Sequence, residues 1–143
     1  MVALARKMDL FSIVYVATGD EAKSMAQAGA DAIIAHVGTT VGGSIGVKGA
    51  VVTMQEAVKR TQRIIDAARI VRKDIIFLSH GGPICTPEDA AYINEHTDCV
   101  GFVGASSLER LAVEESLTNL TRRFKQIPVK RESLRAFQRT SAR

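Results

Sequence analysis

A parallel α/β architecture is written into this chain by a unit that recurs four times. Each copy has a short apolar run, a turn rich in Gly, His or Ser, a helix-capping pair and an amphipathic stretch. The apolar runs are Ile13–Ala17, Ala32–His36, Asp74–Ser79 and Val100–Val103. Runs this short, alternating with helical stretches, are the mark of parallel strands joined by helical crossovers. The capping pairs are Thr18 with Glu21, Thr53 with Glu56, Thr86 with Asp89 and Ser106 with Glu109. In such a pair a hydroxyl accepts from a free N–H of the first turn, and the acid three residues later reaches back. Ligands of parallel sheets bind at the carboxyl ends of the strands. The Gly-, His- and Ser-rich turns fall there.

Taken in order, Ala3–Met8 reads as the end of a helix, and the first strand follows at Ile13–Ala17. The first full helix runs from about Asp20 to Ala28 and stops at Gly29, a C-cap signal. The second strand, Ala32–His36, leads into a segment with glycines at 38, 42, 43, 46 and 49. The second helix, about Met54–Arg72, sets Met54, Val58, Ile65, Ala68 and Val71 near one face. The third strand, Asp74–Ser79, ends at His80-Gly81-Gly82-Pro83. The third helix starts with Thr86 as cap and Pro87 in the first turn, where a missing N–H costs nothing. The fourth strand, Val100–Val103, ends at Gly104-Ala105-Ser106-Ser107. The last helix, about Leu108–Lys125, repeats apolar residues at 108, 111, 117, 120 and 124.

The first and third units match in detail, since Thr18-Gly-Asp-Glu-Ala22 parallels Thr86-Pro-Glu-Asp-Ala90. The strands that follow end in Val37-Gly38 and Val103-Gly104. This spacing of two βα units is that of a barrel built on paired repeats. A full (β/α)₈ TIM barrel takes about 250 residues. The 143 residues here carry four strands and begin inside a helix. The expectation is the carboxyl-terminal half of a barrel, strands five to eight, over residues 1–127, followed by a basic tail over 128–143. A self-sufficient four-stranded doubly wound domain is the alternative.

Composition narrows the partners. Hydrophobic residues make up 46% and charged residues 24%, as in an ordinary globular domain. No apolar run approaches the roughly 20 residues that cross a bilayer, and Met1–Leu10 holds no signal-peptide core. Cys85 and Cys99 match no metal or redox spacing and point to a reducing, cytoplasmic setting. The net charge is +4. The surplus lies in the tail, where Lys130, Arg131, Arg135, Arg139 and Arg143 face Glu132 alone. The rest of the chain is balanced, so neither nucleic acid nor a membrane is expected as a partner.

Four stretches together resemble one family. They are Met25–Asp31, Ala35–Gly46, Ser79–Asp89 and Gly101–Arg110. In combination they are similar to the phosphoenolpyruvate hydrolase-like (phosphonopyruvate hydrolase-like) TIM-barrel family. That domain also forms the carboxyl-terminal part of plant proteins of the tomato mosaic virus resistance type. The similarity runs from about Ala3 to Ile127. It implies a TIM barrel whose amino-terminal half is absent here, together with any catalytic or metal residue of that half. Related phosphopyruvate enzymes use Mg²⁺, so a Mg²⁺ cofactor is possible, with ligands outside this chain and no metal residue within it.

Within the chain, the candidate anion site is Gly81, Gly82, Gly104, Ala105, Ser106 and Ser107, with Arg110 as a clamp. These residues follow the last two strands, where barrels hold phosphate on backbone N–H groups and a helix N-terminus. The same glycines also serve as tight turns before capped helices. His36 and His80 end strands and are the candidate proton-transfer groups. His36 is equally read as a hydrogen-bonded core histidine. Glu109 reads as a capping partner rather than an acid catalyst, and His96 as a surface residue. Gly42, Gly43, Ser44 and Lys48 form a candidate lid, with Lys48 able to bring a charge onto a bound anion. A flexible connection with a surface lysine is the plainer reading of that segment.

Two functions compete. One is an enzyme or enzyme half acting on a small anionic substrate, a phosphorylated or phosphonylated oxoacid. The other is a non-catalytic interaction or regulatory domain, or an inactive barrel fragment. In either case the open sheet edges call for a homo-oligomer or a complementary half-barrel.

Overall fold

The computed structural model describes residues 1–48 and 52–128. Gly49 of the glycine-rich segment and the basic tail from 129 onward lie outside the described residues. In chain order the elements are α1 (Val2–Lys7), β1 (Ile13–Val16), α2 (Gly19–Ala28), β2 (Ala32–His36) and α3 (Met54–Arg69). They continue with β3 (Ile76–His80), α4 (Pro87–His96), β4 (Gly101–Phe102), a π-helical turn (Ser107–Leu111) and α5 (Ala112–Lys125). No helix among the described residues is long and apolar enough to cross a membrane.

The four strands form one parallel sheet in the order β1-β2-β3-β4. Right-handed crossovers that always step in the same direction place every connecting helix on the same face. Here α3 packs against both α2 and α4, so the three form a single layer. A doubly wound domain needs a reversal of strand order to cover its second face. Among the described residues there is none, and the architecture is that of a partial α/β barrel.

Strand alternation divides the core. Val14, Val16, Ile33, Ala35 and Phe77 face the helices and pack with Ala22, Ala26, Ile64, Ile65 and Ala68. A second cluster under α4 joins Val37, Ala57, Ile84 and Ile93. The registered rows Ile13–Ala32–Ile76 and Tyr15–Ile34–Leu78 point to the opposite face. Along its margins that face is open, with Ile13 56%, Tyr15 52% and Ile76 43% exposed. In a closed barrel those side chains would be interior.

Local chemistry explains the element ends. Thr18 and Thr86 form complete capping boxes with Glu21 and Asp89, as expected. Thr53 accepts from the Glu56 N–H, but the Glu56 carboxylate turns to Arg60 instead of closing the box. The fourth box is absent. Ser106 is already helical (φ −56°, ψ −28°) and makes no side-chain cap bond, because the helix opens with a π turn. α2 stops at Gly29, whose φ of 94° is left-handed. β3 starts at Ile76 rather than Asp74, whose carboxylate accepts from Arg72 Nε at 2.7 Å in the preceding turn. It extends one residue further than expected and takes in His80. Asp31, ahead of β2, accepts from the N–H (2.7 Å) and hydroxyl (2.9 Å) of Ser12 and fastens the start of β1 to β2. Those donors hold the Asp31 carboxyl below its usual range.

α5 differs from the other long helices. None of its residues is buried, and Val113, Leu117, Leu120 and Phe124 are exposed at helical spacing.

Removing a cap should expose these differences. Thr18→Ala and Thr86→Ala are each expected to lower stability by about 1 kcal/mol in urea unfolding. Ser106→Ala, which removes no cap bond, is expected to change it by less than about 0.5 kcal/mol.

Candidate functional site

The site is built where β1, β2 and β3 end. The β2–β3 register pairs Ile34 with Leu78 and His36 with His80, so both imidazoles stand on the face away from the helices. Their ring centroids are 5.2 Å apart. Tyr15 at the end of β1 completes the group, with its ring edge-on to His80 at 5.0 Å and to His36 at 6.0 Å.

The two histidines are in different electrostatic settings. His80 is buried, and its Nδ1 lies 2.6 Å from the Val103 carbonyl oxygen. A carbonyl only accepts, so Nδ1 carries the proton and Nε2 is left with its lone pair. β3 lies between β2 and β4. The Nδ1 edge of the ring is turned toward the β4 side. His36 is partly buried. Its pKa is lowered, first by burial and then by repulsion from His80. Each effect favours the neutral imidazole.

The loops after β2 and β3 are stitched together above this pair. The Val37 N–H donates to His80 O at 3.1 Å, the Gly82 N–H to Gly38 O at 2.7 Å and the Val41 N–H to Gly82 O at 3.1 Å. Gly81 and Gly82 have φ of 80° and 58°. A Cβ on Gly81 would lie 2.2 Å from Gly38 O, so only glycine fits between His80 and the neighbouring loop. The Gly82 amide is therefore already spent, a correction to its expected part in an anion cradle. Among the described residues, the amides of Gly81, Gly104, Ala105 and Ser106 have no protein acceptor. Ser107 is buried at the start of the π turn. Val103 O holds His80, so this second loop begins directly beside the histidine pair.

Arg110 does not face the expected anion. Its Nη1 donates to Gly42 O at 2.9 Å and approaches Glu114 Oε1 at 3.4 Å. Glu114 Oε2 in turn accepts the Ser44 N–H at 2.9 Å, which holds its carboxyl below the usual range. Leu111 and Glu114 crowd Gly43 so closely that a Cβ there would clash. The glycine segment is thus latched to the π turn and α5. Lys48 is exposed and takes no part in the latch. His96 is exposed as expected, stacked on Tyr92 at 4.1 Å. Glu109 forms no capping box, since Ser106 offers none.

The described residues do not fit Mg²⁺. The ion prefers carboxylate and water oxygens. The acids nearest the strand ends are committed to backbone donors: Glu21 Oε2 to the Ala17 N–H (2.7 Å) and Asp89 Oδ2 to those of Cys85 and Thr86 (3.0 Å each). No three His, Cys, Asp or Glu side chains converge among the described residues.

Tyr15 was not singled out by its sequence, where it reads as one more apolar strand residue. The available signal was parity, because alternation from Ile13 sets Tyr15 on the face away from the helices and at a carboxyl end.

A family model described as "Phosphoenolpyruvate hydrolase-like" matches residues 1–127. The ToMV susceptible protein tm-1(GCR26) and the ToMV resistance protein Tm-1(GCR237) of Solanum lycopersicum are each 48% identical over 128 residues. The match covers 89% of this chain and 17% of each relative, so the chain spans about a sixth of their length. Among solved structures, the N-acetylmannosamine-6-phosphate 2-epimerase of Clostridium perfringens superposes with a TM-score of 0.49 at 16% identity. That superposition covers 89% of this chain and 47% of the epimerase.

Two expectations follow from the geometry. A histidine whose folded pKa is depressed contributes stability above its unfolded value, near 6.5, and loses it as pH falls through the folded one. Thermal melts between pH 7.5 and 5 should therefore show the native chain losing more stability than His36→Gln. In the latch, Glu114→Ala should speed limited proteolysis within residues 42–48 while leaving the rest of the cleavage pattern unchanged.

Proposed function

The chain belongs to the phosphoenolpyruvate hydrolase-like family, and on that premise we propose that it is a barrel enzyme-like domain that binds a small phosphorylated or phosphonylated oxoacid. The observation that carries this reading is the His36–His80 pair at the strand ends, with the His80 proton fixed on Nδ1 by Val103 O. A neutral imidazole with a free Nε2 is a base near neutral pH, and its protonated form is the matching acid. The free amides of Gly81, Gly104, Ala105 and Ser106 lie on the two loops beside it and supply donors for phosphate oxygens.

For a phosphonylated oxoacid, the balanced reaction is hydrolysis of the carbon–phosphorus bond. Water adds to phosphorus while one imidazole takes its proton. The bond to carbon breaks, and its electron pair passes into the enolate of the oxoacid. The second imidazole, protonated, delivers a proton to that carbon. The products are inorganic phosphate and the oxoacid. Amides aimed at the phosphoryl oxygens stabilise the charge that builds there.

The second reading is a non-catalytic interaction domain. It is favoured by a specific observation: among the described residues, β1 and β4 are unpaired edges of the sheet, and α5 buries none of its residues. A complementary half-barrel or a second copy would cover both.

Turnover of phosphonopyruvate or phosphoenolpyruvate, followed as pyruvate and phosphate release, separates the two. The enzyme reading expects His80→Ala to lower the rate by at least about 100-fold, the usual share of a general acid–base group, with circular dichroism unchanged. Full turnover by that variant would sink the assignment. A stable assembly by light scattering, with no turnover of either compound, would favour the interaction domain.

A further inference from the structure

We propose that Tyr15 is a positioning residue for the His36–His80 pair, holding the His80 ring in place against the Val103 carbonyl and covering His36 on its β1 side. The inference rests on the proton-transfer reading above. Tyr15 shares a register row with Ile34 and Leu78, one step along the same face behind His36 and His80. β1 pairs with β2 and not with β3. Paired strands lie about 4.8 Å apart, so β1 and β3 are separated by roughly 10 Å. Yet the Tyr15 ring centroid lies 5.0 Å from that of His80 on β3 and 6.0 Å from that of His36 on β2. The ring is therefore laid across β2 toward the third strand, and pairing register alone does not bring it there.

His80 is held from both sides. On the β4 side its Nδ1 donates to Val103 O at 2.6 Å, and the Phe102 ring lies nearly parallel to it, at 6.5 Å and 23°. From the β1 side comes Tyr15, inclined at 76°. Inclined aromatic pairs with centroids about 4.5–7 Å apart are favoured contacts. With Tyr15 in place, the imidazole has no free space on its β1 side into which to swing away from Val103 O. Tyr15 itself is half-exposed, so it can be changed without opening the core.

Around His36 stand Tyr15 on β1, His80 on β3 and the uncharged backbone of Gly81, where a Cβ would lie 3.7 Å from His36 Nε2. Burial, ahead of repulsion from His80, holds the His36 pKa below its ordinary value. Tyr15 supplies part of that burial. Its removal lets water reach the imidazole and favours the charged form.

The test compares Tyr15→Leu with Tyr15→Phe in the whole chain, by NMR titration of the histidine rings and by turnover of phosphonopyruvate as a function of pH. Tyr15→Leu is expected to raise the His36 pKa toward the ordinary value of about 6.5. It should lower kcat about tenfold, less than the roughly 100-fold of losing an acid–base group, with KM and the circular dichroism spectrum unchanged. The acidic limb of the kcat profile should move to higher pH together with the His36 titration. Tyr15→Phe keeps the ring and should restore both readouts. An unmoved His36 titration in Tyr15→Leu, or a Tyr15→Phe variant that behaves as Tyr15→Leu does, would overturn the inference. Absence of turnover by the native chain would instead sink the proton-transfer reading, and the NMR titration would still decide whether Tyr15 sets the two rings.

Discussion

The pairing of β2 with β3 governs the rest of this structure. Their register, from Ala32 with Ile76 to His36 with His80, decides which side chains share a face and which atoms meet at the strand ends. A slip of one residue would turn His80 into the helix layer, since side chains alternate with a period of two. The register is held from both ends. Asp31 O accepts the Ile76 N–H at one end, and His80 O accepts the Val37 N–H at the other. Between them, Ile33 and Phe77 bury completely against α2 and α3, and no polar residue could replace them without an unsatisfied group.

From that register follows a tightly constrained roof. Gly38 O accepts the Gly82 N–H across the two loops, and Gly81 fits only because it has no Cβ. The next layer out is the latch, in which Arg110 and Glu114 hold Gly42 and Ser44 by their backbone groups. Both side chains are partly buried where they hold the loop. Among the described residues, the opposite side of the sheet is exposed along its margins, and α5 buries none of its residues. Both features fit the wall of a partial α/β barrel.

Much of this was legible in the residues. Four apolar runs, the three threonine caps and the glycine at 29 were enough to place the strands and the helices α2 to α4 within a few positions. Short-range rules suffice for these features, because a helix start or stop is decided by a hydroxyl, an acid or a glycine within one turn. The same rules misread Ser106 with Glu109, whose spacing was correct for a capping box. The π turn at Ser107–Leu111 overrode it, because Ser106 was drawn into helical geometry and lost its extended cap conformation. Likewise Arg110, well placed in sequence for an anion, met the Gly42 carbonyl 68 residues away.

By itself, then, the sequence determined the βα rhythm, the direction of the strands and the end of the sheet where His36 and His80 stand. These depend on periodicity and on contacts within a few residues. The tertiary structure alone decided that the two imidazoles meet, that Tyr15 joins them, that Val103 O sets the proton on His80, and that the Gly82 amide is already occupied. Each of these is a contact between different strands or loops. Such contacts are set by the pairing register and by the path of the loops through space, which no local pattern of residue types encodes.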